Sequence, residues 1–255
     1  MTPEIATSAR SPRTEILAAF GSDYLSVESL FGFCEVPATF LDHLMQLAQP
    51  ENWSAKCFVL LRYLAVHVRL AIEQGLYVWN NDQLVLRAGQ LVTAAGLPIY
   101  VGLARNADRG TSPWVLHWAG ERPATVEALK PADLGTWPPL DPRSEVVVAC
   151  DLVFLRSKLG ALTSLPLAIQ LSAIAGAVEW SIRRGLAVRQ FHGESRGYFV
   201  PVHLTSREGV PELVALIQVQ GGRLVVRGLF DPRTAYAPAR AVAERRAQLP
   251  AWLLT

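Results

Sequence analysis

Two histidines and a scattered set of polar side chains are the residues here that could do chemistry. His192 and His203 flank the apolar run Tyr198–Val202. A fold-back of Tyr198–Leu204 beside Gln190 would bring the two imidazoles together. Such a pair suits general acid–base cleavage of a phosphodiester such as RNA, one ring removing a proton while the other gives one. The alternative for each is the ordinary lone strand histidine, a ring satisfied structurally. The ligand-binding candidates are Tyr100, Arg105, Asn106, Gln190, Arg233, Tyr236 and Arg240. Arginine offers forked donors to phosphate, asparagine and glutamine read base edges, and tyrosine stacks or hydrogen-bonds. Structural roles are open to the same residues. Asn106 could end a strand in a left-handed turn, Arg240 could pair with a carboxylate, and Tyr236 could be a core aromatic with a satisfied hydroxyl.

Other chemistries find little to use. His43, His67 and His117 are scattered, and no histidine spacing suggests a metal site. Tyr63 and His67 share a helical face four residues apart, which reads as a half-buried aromatic edge. Cys34, Cys57 and Cys150 are far apart and odd in number, so they form neither a metal-ligand pattern nor a disulfide framework. A reducing cytoplasm is the expected compartment. There is no Walker-type loop, dinucleotide fingerprint, HExxH, CxxC or GxSxG motif, so no cofactor is expected and no reaction is assigned.

The 255 residues are 51% hydrophobic and only 18% charged, with a mean hydropathy of +0.23. An ordinary soluble domain carries about 25% charged residues. The excess implies either added burial or an apolar surface for a homo-oligomer or protein partner, and the regular apolar–polar alternation favours burial. A net charge of +2 is too small to argue for nucleic acid by itself. No membrane association is expected. The longest weakly charged run, Leu159–Val178, is broken by Thr163, Ser164, Pro166, Gln170 and Ser172. Arg10, Pro12, Arg13 and Glu15 interrupt any apolar run of a secretory signal.

The elements that must position these side chains follow from periodicity. Residues 1–12 are small, polar and proline-containing, and read as a disordered tail ahead of a single domain over 13–255. Thr14–Phe20 reads as a short helix and Glu35–Ala48 as a better one, with Pro37 in its first turn. Pro50–Gly75 holds a strong helix with Ser54 as N-cap and Arg69 and Glu73 as a surface pair. A meander follows: Leu76–Trp79, Gln83–Arg87, Gln90–Thr93, Pro98–Arg105 and Pro113–Trp118, with turns at Asn80-Asn81-Asp82 and Ala94-Ala95-Gly96. In the last strand Trp114, Leu116 and Trp118 are expected on one side, with Val115 and His117 on the other. A proline-rich stretch at about 119–145 reads as a long ordered loop rather than a domain boundary. Val146–Phe154 is a strand or the opening of a helix. Pro166–Gly185 is a second strong helix with a buried stripe of Leu167, Leu171, Ile174, Ala175, Val178 and Ile182. Tyr198–Leu204, Leu213–Gln220 and Arg223–Phe230 read as strands, the last two joined at Gly221-Gly222, and Thr234–Arg246 as a final helix.

Four motifs in order resemble an uncharacterised domain family of bacteria and eukaryotes. They are Thr93-Ala-Ala-Gly96-Leu-Pro-Ile99-Tyr100 followed by Asn106; the helix around Ala177–Arg184 followed by Val188-Arg189-Gln190-Phe191-His192; the strand Tyr198-Phe-Val-Pro201-Val; and Ala235-Tyr236-Ala237-Pro238-Ala239-Arg240. Ala88-Gly89-Gln90, His192 and Ala237-Pro238 depart from the family's pattern, which makes this chain a divergent member by that resemblance. The resemblance implies no established activity. It implies company, since such domains occur beside modules associated with RNA.

The expectation is therefore an α+β domain, mainly antiparallel in its sheet, with N-terminal helices, one long crossover helix and a C-terminal helix. Its expected role is RNA- or nucleotide-associated binding. The alternatives are a phosphodiester- or nucleotide-processing enzyme using His192 and His203, or a non-catalytic protein-interaction module.

Overall fold

The computed structural model describes residues 14, 26–80, 83–107, 112–150, 152, 163–192, 195–206 and 209–254; the side chains of Ala55 and His192 fall outside that description. The expected tail over 1–12 and, apart from residue 14, the expected helix Thr14–Phe20 lie outside the described residues, as do Asn81 and Asp82 of the first turn. The fold is α+β, with helices and mainly antiparallel strands. The strands form two five-stranded sheets rather than one. The chain divides into two compact units, Met1–Asn52 with Leu64–Asp133, and Trp53–Tyr63 with Leu134–Thr255. The division falls inside the proline-rich stretch, which is irregular throughout.

In the first unit, α1 (Val27–Phe33) is capped by Ser26, whose hydroxyl accepts from the Ser29 amide at 3.0 Å. β1 (Cys34–Glu35) follows, so the helix expected from Glu35 starts later, as α2 (Ala38–Leu47). Pro37 is its N-cap, with extended backbone. The next helix, counted in the second unit as far as Tyr63 and in the first from Leu64, also begins later than its sequence implies. Ser54 has φ 64° and makes no capping bond, a 3-10 turn occupies Ala55–Cys57, and α3 spans Phe58–Glu73. Tyr63 and His67 on α3 are fully buried rather than half-buried. Arg69 and Glu73 pair at 2.8 Å with side chains only 7% and 20% exposed, so this is an enclosed pair and not a surface one.

The first sheet has the order β1-β5-β4-β3-β2, built from β2 (Tyr77–Asn80), β3 (Gln83–Val92), β4 (Pro98–Arg105) and β5 (Trp114–Gly120). The two short strands expected at Gln83 and Gln90 are one strand with a register shift between Arg87 and Val92, where Gly89 takes φ 55°. The Thr93–Leu97 turn closes through Thr93 N–H to Leu97 O and Gly96 N–H to Thr93 O. A second shift, between Gly102 and Leu103, pairs Gly102 with Trp118 and Leu103 with Leu116. The extra residue, His117, sends Trp118 to the opposite face from Trp114 and Leu116, against the expected alternation. There Trp118 packs with Val85, Tyr100 and Val126. The loop is held to this unit by a two-way pairing of the Gln74 carboxamide with the Asp133 backbone, at 2.7 and 2.8 Å.

In the second unit the sheet order is β6-β10-β9-β8-β7: β6 (Val146–Val148), β7 (Val188–His192), β8 (Ser195–Val202), β9 (Leu213–Gln220) and β10 (Arg223–Phe230). β6 runs parallel to β10, and the other pairs are antiparallel. Gly221 and Gly222, at φ 56° and 77°, make the β9–β10 turn with the left-handed pair that such hairpins need. The crossover helix α4 (Leu167–Arg183) ends at Gly185, φ 69°, with Leu186 N–H bonding Ser181 O. Its buried residues are Ile174, Val178, Ser181 and Ile182. Leu167 is 61% exposed, because the helix's first turns extend past the core it packs on. Ile174, Val178 and Ile182 meet Tyr198, Val200, Val202 and Ile217 on one sheet face. On the other face, Val188, Phe199, Val214 and Leu216 meet α5 (Tyr236–Val242) and the C-terminal Trp252 and Leu253. The helix expected over Thr234–Arg246 is thus shorter, flanked by 3-10 turns at Pro232–Thr234 and Arg246–Gln248.

Among the described residues, no helix is long and apolar enough to cross a membrane.

Candidate functional site

The residues singled out from sequence fall in both units. Tyr100, Arg105 and Asn106 belong to the first. Tyr100 is a core residue whose hydroxyl accepts from the Leu129 amide at 3.3 Å. Arg105 lies over the Trp114 ring at 5.0 Å, on the sheet face opposite Tyr100. Asn106 closes the end of β4 by donating its side-chain amide to Glu35 Oε2 and Ser112 O, each at 3.3 Å. It is not left-handed, since the described non-glycine residues with positive φ are Ser54, Lys56 and Cys57.

Gln190, Arg233, Tyr236 and Arg240 belong to the second unit. Arg233 is 88% exposed and grips Asp231 with two 3.0 Å bonds, from Nε to Oδ1 and from Nη2 to Oδ2. Those bonds and the Asp231 charge push its pKa above the usual value. Arg240 is only 4% exposed, over the rings of Tyr63 and Trp53 at 5.0 and 5.8 Å, and donates to Ala243 O. Tyr236 packs at the edge of the α5 core. Gln190 is 1% exposed with no hydrogen-bond partner for Nε2. These four are dispersed between core and solvent.

The histidine pair does not form. His192 is opposite Ser195, at the start of β8, whereas His203 follows Val202 at its end. Eight residues of extended chain separate their backbones by roughly 25 Å. The ring of His203 packs edge-on against Trp180 at 5.7 Å.

What the structure does bring together is a cluster that was not singled out. Antiparallel register sets Arg189 opposite Tyr198 and Phe191 opposite Arg196, so all four rise from one face of the β7–β8 edge. The proline-rich loop lays Trp137 onto that face. Its indole N–H donates to Gly197 O at 3.0 Å and to Gln190 O at 3.4 Å, and its ring lies 5.2 Å from Phe191. Both guanidinium groups lie near this one indole, Arg189 at 5.6 Å and Arg196 at 5.7 Å; Arg196 is also 5.7 Å from Phe191. Arg196 Nε donates to Leu134 O at 3.0 Å. The Tyr198 hydroxyl donates to Pro138 O at 2.6 Å, and burial raises its pKa against the opposing pull of Arg189. Among the described residues neither Arg189 nor Arg196 has a carboxylate partner. Two cations backed by aromatic rings, with unused N–H donors, can hold an anion, and the guanidinium planes can stack on a base. The sequence did carry one signal for this group. Gly193-Glu194 between two alternating runs reads as a two-residue hairpin, which fixes the pairing of Arg189 and Arg196 with their neighbours.

Among the described residues, no group of three or more His, Cys, Asp or Glu side chains is placed to hold a metal ion. The chain matches no protein-family model, and no curated protein or solved structure is significantly similar to it.

Proposed function

We propose that this chain is an RNA- or nucleotide-associated binding protein, and that the β7–β8 edge of its second unit receives the phosphate of the ligand. One observation carries the reading: Arg189 and Arg196 both lie against the Trp137 indole, and among the described residues no acid pairs with either. An anion seated against that indole would be within reach of donors from both guanidinium groups. Single-stranded RNA supplies that anion together with unstacked bases that suit aromatic and guanidinium planes. The test is a titration of fluorescently labelled single-stranded RNA across a salt series. Binding should weaken as salt rises, because phosphate contacts release counterions, and the double variant Arg189→Glu/Arg196→Glu should abolish it. An affinity unchanged in that variant, or no binding at low salt, would remove the reading.

A second reading, protein interaction, has its own observation. Leu165, Leu167 and Ile169 leave a cluster of large apolar side chains exposed at the start of α4. Sedimentation showing only monomer over a wide concentration range, together with Leu167→Asp leaving that behaviour unchanged, would count against self-association.

A further inference from the structure

We infer that the Arg189–Arg196 patch takes a terminal phosphate monoester, the end of an RNA strand or the phosphate of a mononucleotide, in preference to the diester backbone between nucleosides. This rests on the binding function proposed above and narrows it to one chemical group.

Arg196 is firmly held. Its Nε is committed to Leu134 O, and its guanidinium is bounded by the Trp137 and Phe191 rings. Gly135 lies directly beneath; a Cβ on that residue would come within 2.7 Å of Arg196 Cζ. Gly135 also has φ 71°, so the loop uses a glycine both for its turn and for the approach of the guanidinium. Of the five N–H donors of an arginine, Arg196 spends one on this anchorage. The others make no hydrogen bond to the described residues. Arg189 is exposed and, among the described residues, makes no hydrogen bond or ion pair, yet its guanidinium lies over the same indole. One cation is therefore fixed and the other free to close on a ligand, and together they present a fork of donors with two positive charges.

A phosphodiester brings one negative charge and two unbridged oxygens. A monoester brings about −1.5 to −2 charges at pH 7 and three strong acceptor oxygens. The monoester matches the patch in both charge and donor number. The patch is also short: two cations stand beside one indole, where a strand-tracking groove would need a row of them.

The experiment uses the full chain and one ten-nucleotide single-stranded RNA made with 5′-phosphate, 3′-phosphate or hydroxyl ends, followed by fluorescence anisotropy of an internal label. A terminal phosphate at one end should raise affinity about tenfold or more, the scale of losing or gaining one charge-assisted hydrogen bond. The slope of log K against log salt for that strand should be near −1.4, as expected for about two neutralised charges on a single strand. A nucleoside monophosphate should compete, and its methyl diester should not. Arg196→Lys, which keeps the charge and loses the fork, should cancel the end preference, as should Arg189→Ala at an exposed position that leaves folding intact. Equal, arginine-dependent binding of phosphate- and hydroxyl-ended strands would overturn the inference and leave RNA binding standing. No binding of any strand, with no competition by the monophosphate, would overturn both.

Discussion

Gly135 and Gly185 offer a controlled comparison of what holds Arg196 in place. Both lie in the second unit with nearly the same backbone, φ 71° and 69°. A Cβ at Gly185 would meet nothing within 4 Å, whereas at Gly135 it would overlap the Arg196 guanidinium. Replacing Gly185 with alanine therefore carries only the conformational penalty of a left-handed L-residue, about 1–2 kcal/mol. Gly135→Ala carries the same penalty and also forces Arg196 to move. The charged hydrogen bond to Leu134 O is worth about 1.5–3 kcal/mol, and the two ring contacts about 0.5–1 kcal/mol each at a partly exposed site. Discounting for water's access to a half-buried guanidinium, Gly135→Ala should cost about 2 kcal/mol more than Gly185→Ala. Urea unfolding of both variants, and of Gly135→Ala in an Arg196→Ala background, measures the difference as a double-mutant cycle. Equal losses from the two glycine variants, or an excess at Gly135 that survives removal of Arg196, would refute the packing argument.

Other perturbations test neighbouring parts of the same unit. Ile174→Ala should lose about 2–5 kcal/mol, and Leu167→Ala less than about 0.5 kcal/mol, although both lie on the apolar stripe of α4; urea midpoints decide this. Asp231 accepts from the Arg233 amide as well as from its guanidinium, so Asp231→Ala should cost about 1 kcal/mol as a lost cap. Arg233→Ala, which removes a solvent-exposed guanidinium, should leave the urea midpoint essentially unchanged. Burial pushes the Glu212 carboxyl up, but hydrogen bonds from the Thr205 hydroxyl and the Leu204, Thr205 and Glu212 amides outweigh it and leave the pKa below its ordinary 4.5. A depressed acid stabilises above its unfolded pKa and loses that contribution as pH falls through the folded one. The stability gap between wild type and Glu212→Gln should therefore be constant above pH 4.5 and shrink below it. A gap that widens towards acid would show the opposite sign.

Much of the secondary structure could be read from local pattern. Pro98–Arg105, Leu213–Gln220 and Arg223–Phe230 are strands at the expected limits, because short apolar runs met turn residues such as Gly96 and the Gly221-Gly222 pair. The departures came where something non-local intervened. One bulged residue at His117 reversed the side of Trp118, a change that leaves no trace in the period of the sequence. Leu167 continued the apolar stripe of α4 beyond the surface that the stripe covers. Periodicity reports which side of a helix is apolar, and the length of its partner decides how much of that side is buried. The division of ten strands into two sheets depends on pairing, to which periodicity is blind.

The same distinction separates the residues singled out by motif from those that form the cluster. Tyr100 sits at a fixed interval from Gly96 because that interval sets a turn and a strand, and the ring it places is spent on the core. Arg240 has the chemistry of a phosphate ligand, but α5 buries it against Trp53 and Tyr63, where its charge serves packing. Arg189, Arg196 and Trp137 form no motif. Two are brought to one face by antiparallel register, and the third arrives from a loop with no periodicity at all. What sets these two arginines apart from Arg233 and Arg240 is the surroundings. Arg233 has Asp231 to answer its charge, and Arg240 is enclosed in aromatic packing. At the β7–β8 edge two charges face one indole, and among the described residues no acid pairs with either. A carboxylate paired there would answer those charges from within the chain; the proposed anion would answer them instead.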